Sequence, residues 1–415
     1  MDLFGIKINK GALFGNLYIN KKFAVRAILF RSFGRERLYN VRYLKKGAFF
    51  MSRKRFMVVS GFLGAGKTTT MLALTRYIND HGKRAAIIAN DLGASNIIDA
   101  EYSSRYDVEV TPLAGTCICY AGEALNERIE RLNKVPKDIV MSDIPGCGIG
   151  ALELVYGRLD RDYKDDYILA PFTVVTDPER LRMIMPEQAD INLPEELKFL
   201  LDAQLKEADC VVLNKTDLMT EEEVDRYVKF LKEVCPDIPV FAISAKEMTG
   251  LAPLVDYILT AESRVNITDI GYGGAEFLSA EEKMSWFNRS VYITTKDDSE
   301  FDGNQLADDL IDEIRNGLIA NKKNVPHLKT FAIGKEGDYA KCSLIGVDYD
   351  ILHDQQLQEK TSKMKLVVNA RAVCESDLLV DIVDEAFENI RDQYKVKIKT
   401  FFSECFGMMD EGYKD

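Results

Sequence analysis

Residues 56–60, Phe-Met-Val-Val-Ser, run directly into Gly61-Phe-Leu-Gly-Ala-Gly66-Lys67-Thr68, and a helical apolar period, Met71–Ile78, follows. A buried strand, a GxxxxGK[ST] loop and a helix in that order leave little freedom. The glycines let consecutive backbone N–H groups wrap a polyphosphate at the positive end of the helix. In this setting Gly61, Gly64, Ala65 and Gly66 supply the wrapping backbone. Lys67 is placed to reach the β- and γ-phosphates, Thr68 to ligate Mg²⁺, and Thr69 to touch the α-phosphate.

The rest of the chain agrees with that start. Ala85–Ala89, Val108–Thr111, Asp138–Met141, Phe172–Val175, Cys210–Leu213 and Val240–Ile243 are short, nearly continuous apolar runs, as expected of parallel strands buried on both faces. Helical periods lie between them, among them Glu195–Glu207 and Thr220–Val234, the latter opening with three Glu at its positive end. The fold class is therefore α/β: a doubly wound, mostly parallel P-loop NTPase domain over residues 51–261. Residues 262–285 have little period and read as a linker. Residues 286–415 read as a smaller α+β domain of ferredoxin-like type, with Ser376 capping its second helix.

The base is read further along. Asn214-Lys215-Thr-Asp217 follows the run Cys-Val-Val-Leu, and a carboxylate there can accept from both guanine N1–H and the 2-amino group. Adenine offers an acceptor at N1 and is rejected. Ser244-Ala245-Lys246 suits a loop over guanine O6, so the expected ligand is GTP. Asp143 ends the strand Asp-Ile-Val-Met-Ser and is a second candidate Mg²⁺ ligand. Asp143-Ile-Pro-Gly146 would bring a backbone N–H to the γ-phosphate. Asp91 could sense Mg²⁺ or the attacking water, or simply cap a helix. Lys67, Asp91, Asp143 and Gly146 are thus the candidate catalytic set.

Charge and composition narrow the class. A net charge of −12 argues against a partner held by nucleic-acid phosphates, and no apolar run reaches membrane length. Eight scattered cysteines form no disulfide framework, which places the chain in a reducing cytoplasm. The three histidines share no motif spacing and read as surface or core residues. Residues 1–50 carry 11 basic and 2 acidic residues, which could be an organelle transit sequence. Lys46–Met51, however, can be back-translated to a ribosome-binding sequence about eight bases before an ATG, so Met51 is expected to be the start and 1–50 a translated leader.

Gly-Phe-Leu-Gly-Ala-Gly-Lys-Thr-Thr-Thr, the Ala-Asn-Asp at 89–91, a Cys-x-Cys loop, Asp-x-x-Gly at 143–146 and Asn-Lys-Thr-Asp at 214–217 together resemble the CobW/HypB/UreG GTPases, the CobW branch above all. The resemblance implies slow GTP hydrolysis, nucleotide-gated homodimerisation, a ferredoxin-like C-terminal domain, and delivery of a metal or metallocofactor to a client enzyme. In CobW-like proteins the loop reads Cys-x-Cys-Cys and binds Zn²⁺ or Co²⁺. Here it reads Cys117-Ile-Cys119-Tyr120, which leaves a tetrahedral site short of ligands; Cys147 is the best substitute. Three functions stay open: a Zn²⁺ or Co²⁺ metallochaperone, a GTP-gated chaperone for a corrinoid enzyme that carries no metal, and a small-molecule kinase. No glutamine or arginine finger stands in the switch segments, so unaided turnover should be slow.

Overall fold

The computed structural model describes residues 53–407 except 63, 92–106, 146–147, 186–194 and 268, together with three short strands nearer the start. Residues 1–53 are a unit of their own, in which β1 (Gly15–Tyr18), β2 (Phe23–Ala27) and β3 (Tyr43–Lys45) pair antiparallel in that order.

In the main unit, from Lys54 onward, the first domain is built on β4 (Lys54–Ser60), β5 (Ala85–Asp91), β6 (Glu109–Ala114), β7 (Ile139–Asp143), β8 (Tyr167–Leu169), β9 (Thr173–Thr176), β10 (Cys210–Leu213) and β11 (Val240–Ala242). They form one eight-stranded sheet, in which β8 pairs with β4 beside the order β11-β10-β9-β4-β7-β5-β6, and every pairing is parallel. The apolar runs are buried on both faces for the expected reason. Phe56, Val58, Val140 and Val211 point into one apolar layer, while Met57, Val59, Met141 and Val212 point into the other. Parallel strands whose order reverses at the centre open a crevice beyond their carboxyl ends, and the loops after β4, β7, β9 and β10 meet there.

The second domain carries β12 (Ser285–Thr295), a helix at Gly303–Ala320, β13 (Asn324–Ile333), β14 (Tyr339–Leu344), β15 (Leu352–Gln355), β16 (Lys363–Val373), a helix at Ser376–Tyr394 and β17 (Val396–Gly407). The antiparallel order is β15-β14-β13-β16-β12-β17. Without the inserted β14–β15 pair this is βαββαβ with the ferredoxin-like order. Period two divides the sheet. Leu328, Ala332, Leu366, Val368 and Ala370 pack under the two helices. Phe331 and Val367, on the opposite face, join the first domain's apolar cluster with Ala65, Leu72 and Leu251.

Two sequence readings change. Ser376 is the first helical residue and not the cap: extended Glu375 takes that position, and the Ser376 hydroxyl lies 3.1 Å from that of Ser285. The 262–285 stretch contains a helix, Ala275–Glu282, whose Phe277 and Ala280 are buried with Leu200 and Trp286. Its eight residues are too few to reveal a helical period. By contrast Thr220 does cap its helix, with Glu223 reaching back to complete a capping box. No helix among the described residues is long and apolar enough to cross a membrane.

Candidate nucleotide-binding site

The phosphate loop is shaped by what presses on it. Gly61, Gly64 and Gly66 all have positive φ. A Cβ on Gly61 would stand 2.0 Å from the Val175 carbonyl, and one on Gly66 would stand 2.4 Å from the Asn214 amide. Neither position can hold a side chain, so backbone N–H groups are left to line the cradle. Lys67 is buried and arches back over the loop, donating to the Gly61 carbonyl at 2.7 Å and to the Phe62 carbonyl at 3.3 Å. Gly64, Gly66, Lys67, Thr68 and Thr69 line a common cavity with Asp143.

Asn214-Lys-Thr-Asp217 closes the other end. Asn214 donates to the Ala65 carbonyl at 3.0 Å and accepts the Ala245 N–H at 3.0 Å, so one side chain ties the base loop to the phosphate loop. The Ser244 hydroxyl donates to Asp217 at 2.5 Å and aligns the carboxylate expected to read guanine. Asn214, Lys215, Asp217 and Lys246 reach the cavity. Lys215, in a left-handed backbone conformation, extends its ammonium to the buried Asp177 carboxylate at 2.5 Å. Burial alone would raise the Asp177 carboxyl, but the Arg180 and Lys215 cations outweigh it and hold it below its ordinary range. Asp177 and Arg180 escaped the sequence reading. The available signal was position, since Asp177 stands at the carboxyl end of a buried strand as Asp143 does.

Thr68 and Asp143 are oxygen donors lining one cavity, which fits a Mg²⁺ ion held with phosphate oxygens. Asp143 also accepts the Asn90 N–H at 3.1 Å. The Asn90 side chain in turn donates to the Leu113 and Thr116 carbonyls, at 2.9 and 2.7 Å, and accepts the Ile118 N–H at 2.8 Å. One asparagine therefore joins the candidate Mg²⁺ ligand to both sides of Cys117. The side chain of Asp91, and all of Gly146 and Cys147, lie outside the described residues, so the expected triad of Cys117, Cys119 and Cys147 does too. Cys117 and Cys119 are half-buried against the core. Tyr120, in the place of the third cysteine, is exposed, and its hydroxyl meets that of Tyr272 at 2.5 Å.

The second domain supplies a wall that no motif announced. His327, Lys329, Lys341, Asn369 and Arg371 project from the cavity-facing side of β13, β14 and β16. His327 pairs with Arg371 across the strands, and Lys329 with Asn369. Arg371 lies over the Trp286 ring at 3.4 Å. Burial, and then the cations Lys329, Lys67, Arg180 and Arg371, hold the His327 imidazole well below its ordinary range, so it is neutral. Its Nε2 is buried with no hydrogen-bond partner among the described residues. An orphaned polar atom ringed by cations, in a cavity that includes a phosphate loop, suits an anionic ligand.

Comparison with known proteins agrees with this site. The CobW/HypB/UreG nucleotide-binding domain family matches residues 55–242. The zinc-regulated GTPase metalloprotein activator 1 of Schizosaccharomyces pombe is 31% identical over 176 residues, covering 40% of this chain and 39% of that protein. The zinc chaperone CobW of Pseudomonas aeruginosa is 26% identical over 244 residues, covering 51% and 61%. The chain thus spans roughly half the length of these curated relatives. Among solved structures, the Zn(II)-bound YjiA GTPase of E. coli aligns with 82% of this chain and 100% of its own, at 14% identity and a TM-score of 0.32, too distant to add to the assignment. Phosphate loop, Asn-Lys-Thr-Asp motif, sheet order and family match coincide over one segment, residues 55–242, which is similar to the CobW/HypB/UreG nucleotide-binding domain.

Proposed function

We propose that this chain is a Mg²⁺-dependent GTP-binding protein that hydrolyses GTP slowly and uses its nucleotide state to gate delivery of a metal ion, zinc foremost, to a client protein. The convergence of Lys67, Thr68, Asp143 and Asp217 on one cavity carries the nucleotide half of this reading. Mg²⁺ held by Thr68 and Asp143 would neutralise charge on the β- and γ-phosphate oxygens. Lys67 and the loop N–H groups hold those oxygens in place, while Asp217 selects guanine. Lys329 and Arg371 place further positive charge in the same cavity.

Metal delivery is supported by the relatives, named as a zinc chaperone and a zinc-regulated activator. It is also supported by Asn90, through which a change at Asp143 reaches the backbone on both sides of Cys117. Those names speak for a metal cargo over service to a corrinoid enzyme. The test is nucleotide binding and turnover by the full chain with and without Mg²⁺. GTP should bind in preference to ATP, Lys67→Ala should abolish binding, and turnover should stay below about 1 s⁻¹. Equal affinity for ATP, or turnover at the rate of a metabolic kinase, would overturn the proposal.

A further inference from the structure

The inserted pair β14–β15 lies at the open edge of the second sheet, and its residues face two ways. Lys341 and Asp354 form an ion pair at 2.8 Å on the side that lines the nucleotide cavity. Their chain neighbours, Cys342 and His353, are register partners across the same two strands. The register shifts between Lys341 and Cys342, an irregularity of the kind that re-aims a side chain. The helix Gly303–Ala320 adds Asp308, whose two carboxylate oxygens lie 2.9 and 3.0 Å from His353 Nε2. The thiol, the imidazole and the carboxylate each offer one atom, and these atoms all lie within 4.8 Å of one another.

We propose that Asp308, Cys342 and His353 bind a thiophilic divalent cation of the Zn²⁺ or Co²⁺ class, at a site separate from the Cys117 loop and coupled to the nucleotide cavity. The donor set suits such an ion. Sulfur, nitrogen and oxygen at about 2.3, 2.1 and 2.1 Å from a tetrahedral centre are about 3.3–3.8 Å apart, so the site forms if the hydrogen-bonded Asp308–His353 pair opens slightly to admit the ion beside the Cys342 thiol. Three protein ligands leave one position open, which fits an ion that must be exchanged and not one that holds a fold together. Each ligand stands on a different element, and both strand ligands are one residue from a side chain of the cavity-facing ion pair. Any shift of Lys341 or Asp354 in response to a phosphate therefore moves Cys342 or His353. The coupling rests on the proposed GTP-binding function; the metal site itself does not.

Co²⁺ titration of the full chain, followed by its thiolate-to-cobalt charge-transfer absorption, tests this. It should be run in the apo state and with Mg²⁺ and a non-hydrolysable GTP analogue. The band should survive in a Cys117→Ser/Cys119→Ser variant and disappear in Cys342→Ser. In His353→Gln, on a partly exposed edge strand, affinity should fall by at least about tenfold. Affinity should also differ between the two nucleotide states. A band that survives Cys342→Ser with His353→Gln unchanged, but disappears in the loop variant, overturns the site and leaves metal delivery standing. If no variant and no nucleotide state binds Co²⁺, both fall. Fluorescent GTP binding, measured on the same samples, separates either result from loss of the nucleotide site. His353→Gln decides the matter should Cys342→Ser fail to fold.

Discussion

On the proposed reading, Asp217 is where a single side chain selects the base. Ser244 fixes its carboxylate, and Asn214 nearby holds both the phosphate loop and the Ala245 N–H, so the base loop and the phosphate cradle are tied together. Asp217→Asn keeps the size but exchanges an acceptor for a donor, which faces guanine donors with a donor. GTP affinity should fall by about a hundredfold, roughly 3 kcal/mol, while xanthosine triphosphate, with a carbonyl in place of the 2-amino group, should gain. A competition assay between the two nucleotides checks this; unchanged preference would remove Asp217 from base recognition. Asp177 differs, because it touches the loops from below. Its carboxylate pairs with two cations, so Asp177→Ala should cost about 3–5 kcal/mol of stability by leaving buried Arg180 without its partner carboxylate.

At the level of elements, the segment after Asp143 is held by the helix Glu195–Glu207. Gly150 donates its N–H to Glu207 at 2.9 and 3.1 Å where the chain enters a π-helical turn, Leu152–Gly157. Burial pushes the Glu207 carboxyl up to about 7, against the pull of the Gly150 and Leu152 N–H groups. A folded-state value above the unfolded one means that the native protein binds the extra proton. The resulting stability is complete below about pH 4.5 and is lost as pH rises through about 7, by about 3 kcal/mol. Melting curves from pH 4.5 to 8 should show this slope in the natural chain and not in Glu207→Gln; parallel curves would mean that Glu207 stays ionised throughout.

The same scale explains what could be read in advance. The phosphate loop and Asn214–Asp217 were legible because each is contiguous, and a single loop performs the task. The wall of His327, Lys329, Lys341 and Arg371 was not. Lys329, Lys341 and Ser343 alternating with Leu328, Cys342 and Leu344 have the period of an ordinary sheet with one wet face, and nothing local says that the wet face meets a second domain. His353 and Cys342 stayed hidden for a related reason: their meeting depends on strand register, which no short stretch encodes. The Ala275–Glu282 helix, read as linker, is visible only through the apolar residues that cover it.

At the level of the whole molecule, the cavity has one wall from each domain, and Phe331 and Val367 pack the sheet onto the first domain at its side. On the proposed reading, a nucleotide there meets residues of both domains. Lys329→Ala removes one cation from the far wall without touching the phosphate loop, and GTP should then leave about tenfold faster, a loss of about 1.4 kcal/mol. A chase with unlabelled nucleotide measures this; an unchanged release rate would show that the second domain does not hold the ligand. The two-walled cavity also implies a clock. A nucleotide held between the two walls would be released faster if the domains moved apart, so the apolar seam at Phe331 and Val367 would contribute to the lifetime of the bound state along with the phosphate contacts. A partner that pried the seam open would speed exchange without ever meeting the nucleotide.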